Sequence, residues 1–243
     1  MSNIFQAMLY RIIKSKIAVY SLICCIIFGV LFSIVAMNAE DTIQGIYGTM
    51  DNMFYISNLI FLVFVCAYNC SDYKNKTINY EVMNGHSSWE IFLGRLLAFV
   101  LCIEIMFHLE LLVIHLILSR VQEYSIIISQ NGNYLLRILT LDLVVLAYAV
   151  YYVVCSFVAR KMIAGILFSW LGFAISGLVV TLNSVLVFEN GTLFAALVGA
   201  NSMKYIMLGG FSVWQSAVTV TIALIFIIMF LVIGLVNVNR QEY

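Results

Sequence analysis

Apolar residues run along this chain in stretches too long for the core helices of a soluble domain. Ile17 to Met37, Met53 to Cys70, roughly Leu93 to Leu118, Ile138 to Ala159, Met162 to Val187 and Val213 to Val236 are each long enough to carry a helix across about 30 Å of hydrocarbon. Six spans are predicted. Ahead of them, residues 3–14 divide on a helical wheel: Ile4, Phe5, Met8, Leu9, Ile12 and Ile13 fill one half, and Gln6, Tyr10, Arg11 and Lys14 the other. That pattern predicts a helix lying in the membrane surface over 1–16. Ile17 to Met37 is too long for the apolar region of a signal peptide, lacks a small-x-small cleavage site and is followed by further spans. Thr192 to Ala200 and Tyr205 to Leu208 are apolar but too short to cross. Asn201-Ser202 joins them and Gly209-Gly210 closes the segment, which predicts a re-entrant hairpin over 188–212, with an outer amphipathic loop as the alternative. Asn190-Gly191-Thr192 is a glycosylation sequon, meaningful only in a cell that glycosylates. The predicted fold class is an all-α integral membrane protein, one transmembrane domain over 1–243.

Charge orients the spans. Arg11, Lys14, Lys16, Lys74, Lys76, Arg95, Arg160, Lys161 and Arg240 put nine basic residues on one side of the six-span arrangement, against three (Arg120, Arg137 and Lys204) on the other. The positive-inside rule places the richer side, and both termini, in the cytoplasm. Of the 243 residues, 64% are hydrophobic and 10% charged, where a soluble domain carries about 25% charged residues. Net charge is zero, so no global bias points to nucleic acid. Cys24, Cys25, Cys66, Cys70, Cys102 and Cys155 sit in or beside apolar runs without CxxC metal spacing, and read as small packing residues. Proline is absent, so any break in a span falls to glycine, a polar insertion or a turn.

Residues 71–95, SDYKNKTINYEVMNGHSSWEIFLGR, are the one long polar island on the basic side. Tyr73 to Met83 is predicted as about three turns of helix, ended by Asn84-Gly85, with Gly85 holding a φ above zero. Ser87-Ser88-Trp89-Glu90 is a capping box, so a second helix starts at once and runs into the third span. The island is then a docking element, with Tyr73, Ile78, Tyr80, Met83, Asn84, Gly85, Ser87, Trp89 and Glu90 as its candidate contact and geometry residues. The plainer alternative is a polar loop between spans.

Inside the spans, Glu104, His108 and His115 fall within about 40° of one another on a helix, while Glu110 points elsewhere. Ionisable groups cost energy at mid-bilayer, so this stripe is expected to face a substrate path or a subunit interface, or to be satisfied within the bundle. Three ligand types on one helix also raise zinc, but no HExxH motif accompanies them. Gly165, Ser169, Gly172, Ser176 and Asn183 share a face of the fifth span, where small residues let another helix approach. Asp142 is expected to pair with Arg137 or to reach the interface.

The chain carries no GxxxxGK[ST] phosphate loop and no GxSxG nucleophile elbow, and its extramembrane segments are too short for a nucleotide-binding domain. With the helix at Ile4 to Ile13, six spans, the stretch DYKNKTINYEVMNGHSSWEIFLGRLL from Asp72 to Leu97 and the hairpin before the last span, the chain resembles the permease subunit of a type 2 ABC exporter, the group that includes bacterial peptide-antibiotic export and immunity transporters. The resemblance implies a bacterial plasma-membrane protein that exports an amphipathic peptide or lipid-like substrate. It also implies a coupling helix in the island, ATP and magnesium held by separate ATPase subunits, a second permease as partner in membrane lipid, and no cofactor or catalytic site on this chain. Two other readings stand beside it: an intramembrane metalloprotease using Glu104, His108 and His115, and a membrane immunity protein that binds its target without transporting it.

Overall fold

The computed structural model describes residues 2–39, 42–124, 134–185 and 213–239. All secondary structure among them is helical: α1 (Ser2–Ile13), α2 (Lys16–Met37), α3 (Thr42–Lys74), α4 (Thr77–Met83), α5 (Ser88–Leu118), α6 (Tyr134–Ala159), α7 (Met162–Val185) and α8 (Val213–Asn239). Among the described residues, five segments are long and apolar enough to cross a membrane: Lys16–Met37, Asn52–Lys74, Ser88–Leu118, Leu136–Ala159 and Thr219–Val238. The chain is thus an all-helical, multi-pass membrane protein. The sixth predicted span, Met162 to Val187, overlaps α7, of which the described apolar stretch is Met162–Gly172. The predicted hairpin over 188–212 lies outside the described residues.

Helix α6 occupies the centre. It packs against α3, α5, α7 and α8, while α2 lies along both α3 and α5. Between these helices sits a core of aromatic rings, with edge-to-face pairs at Phe64–Phe99 (5.7 Å), Tyr68–Phe99 (5.8 Å) and Phe92–Phe157 (5.1 Å). In lipid, where tails are as apolar as leucine, such packing contacts and interhelical hydrogen bonds hold helices together. One such bond joins α6 to α3, from the Tyr152 hydroxyl to Asn58 Oδ1 at 2.9 Å. Apolar side chains point outward over much of α2 and α8, among them Ile27, Leu31, Ile228 and Val232, as befits surfaces meeting lipid.

Small residues set the closest approaches. On α7, Gly165 lies against Cys66 of α3, Ser169 is fully buried, and Gly172 faces Tyr151 of α6, whose hydroxyl donates to the Phe168 carbonyl at 2.8 Å. The Ser176 and Asn183 side chains lie outside the described residues. A second small stripe was not anticipated from the sequence: Ala18, Cys25, Gly29, Ser33 and Ala36 form the buried face of α2.

Helix α1 ends where Ser15 caps α2, its hydroxyl accepting from the Ala18 N–H at 3.1 Å. Ile4, Met8 and Ile12 are buried, whereas Ile13, placed in the apolar half by the wheel, is exposed. The helix does more than float on a surface, because it packs against α5. At the crossing, a Cβ on Gly94 would stand 2.9 Å from Ile4 Cγ2 and 3.3 Å from the Phe5 backbone nitrogen. Gly94→Leu is therefore expected to lift α1 from α5 at a cost of about 1–3 kcal/mol, the usual range for overpacking. Hydrogen exchange in micelles should show residues 2–13 losing protection while the lower part of α5 keeps it. Unchanged protection of α1 would contradict this packing.

Candidate functional site

The polar island folds back on itself at one end of the bundle. Helix α3 continues to Lys74, so Tyr73 belongs to the end of a span and not to the short helix expected over Tyr73 to Met83. The break comes at Lys76, whose φ of 55° is left-handed and cannot propagate a helix. Helix α4 is the seven-residue remainder, Thr77–Met83. Its end forms a Schellman motif: the His86 N–H reaches the Glu81 carbonyl at 3.3 Å and the Gly85 N–H reaches the Val82 carbonyl at 2.9 Å, with Gly85 at φ +85°. The capping box then opens α5, Glu90 Oε2 accepting from the Ser87 N–H at 3.2 Å and from its hydroxyl at 3.0 Å.

Two faces of α4 have different fates. Ile78 is buried with Ile4 of α1 and Ile91 of α5, while Tyr80 and Met83 are 64% and 80% exposed. Trp89, at the start of α5, is also exposed. Tyr73 packs edge-to-face on Phe157 at 5.9 Å, with the Arg160 guanidinium 5.9 Å from its ring centre. Of the expected contact residues, then, Tyr80, Met83 and Trp89 face outward and Tyr73 and Ile78 face the bundle.

Beneath α4 lies a buried ion network. The Arg95 side chain is fully buried and grips Glu81 with two nitrogens, Nη2 to Oε1 at 2.9 Å and Nε to Oε2 at 3.3 Å. Its Nη1 donates to Asp72 Oδ2 at 2.8 Å and to Asn69 Oδ1 at 3.2 Å. Asp72 Oδ1 in turn accepts from Arg11 Nη2 at 2.7 Å, and Asn69 Nδ2 donates to Ser156 Oγ at 2.7 Å. Two guanidiniums and two carboxylates thus neutralise each other across α1, α3, α4 and α5, with α6 attached through Ser156. Burial alone would lower the Arg11 pKa, but the charge and hydrogen bond of Asp72 more than offset this and raise it. In the sequence Arg11 and Arg95 read as topology markers. The signal available was one arginine inside the apolar run from Phe92 to Phe99, with carboxylates at Asp72 and Glu81 close to the same end.

A second polar group lies within the spans. Glu104 and His108 on α5 meet Asp142 on α6, and their ligand atoms all lie within 4.8 Å of one another. His108 Nε2 is 3.4 Å from Asp142 Oδ1, and Nδ1 is 3.9 Å from Glu104 Oε2. Asp142, expected to pair with Arg137 or to reach the interface, faces His108. His115 does not join them; its Nδ1 lies 3.3 Å from the Tyr124 hydroxyl. Glu110 points the other way, fully buried, accepting from Ser57 Oγ at 2.7 Å with its side chain beside Gly29 of α2.

Asp72 is buried and bonded to both guanidiniums, whereas the Glu81 side chain is 21% exposed at the rim. Removing one partner of a buried ion pair costs about 3–5 kcal/mol. Asp72→Ala should fall in that range in reversible unfolding in micelles, and Glu81→Ala well below it. Equal costs would show that the network is not centred on Asp72. Comparison with protein-family models, curated proteins and solved structures finds no match to this chain.

Proposed function

We propose that this chain is the membrane-spanning subunit of an ATP-driven exporter of the ABC type, with the exposed face of α4 and the start of α5 as its contact with a separate ATPase chain. The observation that carries the reading is the short helix α4, clamped to the long span α5 through Arg95 and Glu81 and presenting Tyr80, Met83 and Trp89 outward. Helix α5, with 31 residues, is about 46 Å long at 1.5 Å per residue, longer than the hydrocarbon layer. A push on α4 would therefore be delivered directly to a helix that crosses the membrane. In this reading six spans cross the bacterial plasma membrane, both termini are cytoplasmic, a second permease completes the path, and ATP and magnesium are bound by the partner. An amphipathic peptide or lipid-like molecule is the proposed substrate class.

The metalloprotease reading named His115 as a ligand with Glu104 and His108, whereas among the described residues the group brought together is Glu104, His108 and Asp142. The immunity-protein reading is separated by experiment. The native complex, solubilised from its own membranes, should co-purify with an ATPase chain. Tyr80→Ala with Met83→Ala and Trp89→Ala should reduce that recovery at least about tenfold, since aromatic anchors at interfaces are commonly worth 2 kcal/mol or more. Leu116→Ala, on the apolar outside of α5, should leave recovery unchanged. No ATPase with the wild-type chain, or undiminished recovery with the triple variant, would overturn the proposal.

A further inference from the structure

The trio on α5 and α6 consists of hydrogen-bond acceptors facing one another. His108 Nδ1 lies 2.8 Å from the Glu104 carbonyl oxygen. A carbonyl has no hydrogen to give, so Nδ1 carries the ring proton and donates it there. In the neutral ring, Nε2 then has a lone pair, and that lone pair faces Asp142 Oδ1 at 3.4 Å. Both carboxylate oxygens of Glu104 and Oδ1 of Asp142 are shielded from solvent and have no hydrogen-bond donor among the described residues. Three acceptors brought together without a donor repel each other unless a proton or a metal cation sits among them.

We propose that Glu104, His108 and Asp142 bind a divalent transition-metal ion of the zinc class on the membrane-embedded flank of α5 and α6. The inference rests on the geometry of the trio and not on the exporter reading. Tetrahedral zinc with bonds of about 2.0–2.2 Å holds its ligand atoms about 3.4 Å apart, and the His108 Nε2 to Asp142 Oδ1 separation is 3.4 Å. Glu104 Oε2 lies 3.9 Å from His108 Nδ1 and would have to turn its side chain toward Nε2 to complete the set. The Nδ1–H bond to a backbone carbonyl is the arrangement that orients metal-ligating histidines and raises their basicity. Two carboxylates and a divalent ion sum to zero charge, which matters in a medium where an uncompensated charge is costly. An imidazole with two carboxylates favours zinc, cobalt or nickel over magnesium and calcium, which prefer oxygen alone. The His108 side chain is half-exposed, so one side of the site is left uncovered by the described helices.

Chelator-stripped full-length protein in micelles, titrated with Co²⁺ and then Zn²⁺, tests this. The wild type should take up one equivalent of Co²⁺ with the visible absorption of a tetrahedral site, and Zn²⁺ should bleach it. His108→Ala and Asp142→Asn should each weaken binding at least about 100-fold, beyond the usual loss for an outer-shell partner. His115→Ala should bind as the wild type does. Absence of the cobalt bands in the wild type overturns the proposal, whatever the variants do. Binding that survives His108→Ala, or is lost equally with His115→Ala, overturns it too. Zn²⁺ should also raise the thermal midpoint of the wild type and leave that of His108→Ala unmoved; equal shifts would count against the site.

Discussion

A guanidinium cannot be taken out of water near a membrane unless every charge around it is matched. Arg95 is fully buried, and the positions of four helices follow from what it needs. Asp72 must sit at the end of α3, Glu81 must come back toward the bundle, and Asn69 must fill the remaining donor direction. The second lone pair set of Asp72 then brings in Arg11 and with it α1. Because removing one partner of such a set strands the other in a poorly solvated place, the network acts as a unit. It is the link between the short helix α4 and the spans.

Local signals carried much of the island. Asn84-Gly85 and Ser87 to Glu90 are stop and start chemistry that depends on a few neighbouring residues, and the Schellman motif and capping box both form where the sequence puts them. The break at Lys76 was not legible, since lysine has no preference for a left-handed φ. It is imposed from a distance: with the chain reversed there, Ile78 reaches Ile4 and Ile91, and Glu81, on the same face one turn later, reaches Arg95. A wheel drawn on α5 alone grouped Glu104 with His108 and His115, and it correctly turned Glu110 away. It could not show that α6 brings Asp142 to the first two, nor that Tyr124 takes the third.

The same limit applies to packing. The small stripe of α7 was visible because glycine and serine stand out in an apolar run. The stripe on α2 includes alanine and cysteine, which read as ordinary apolar residues until the close neighbour is known. Glu110 shows the consequence, its carboxyl bonded to Ser57 and its Cγ beside the bare Gly29. Hydropathy identifies what crosses the membrane, but contacts between crossing helices depend on shape and on single polar atoms.

The central claim is that Arg95 holds α4 in place. Hydrogen exchange of wild-type and Arg95→Leu protein in micelles measures this directly, read at the α4 and turn amides of Tyr80, Asn84 and Gly85. The account predicts that these amides lose protection in the variant while those of α5 from Phe99 onward keep theirs. Protection of α4 that is the same with and without the guanidinium would contradict it.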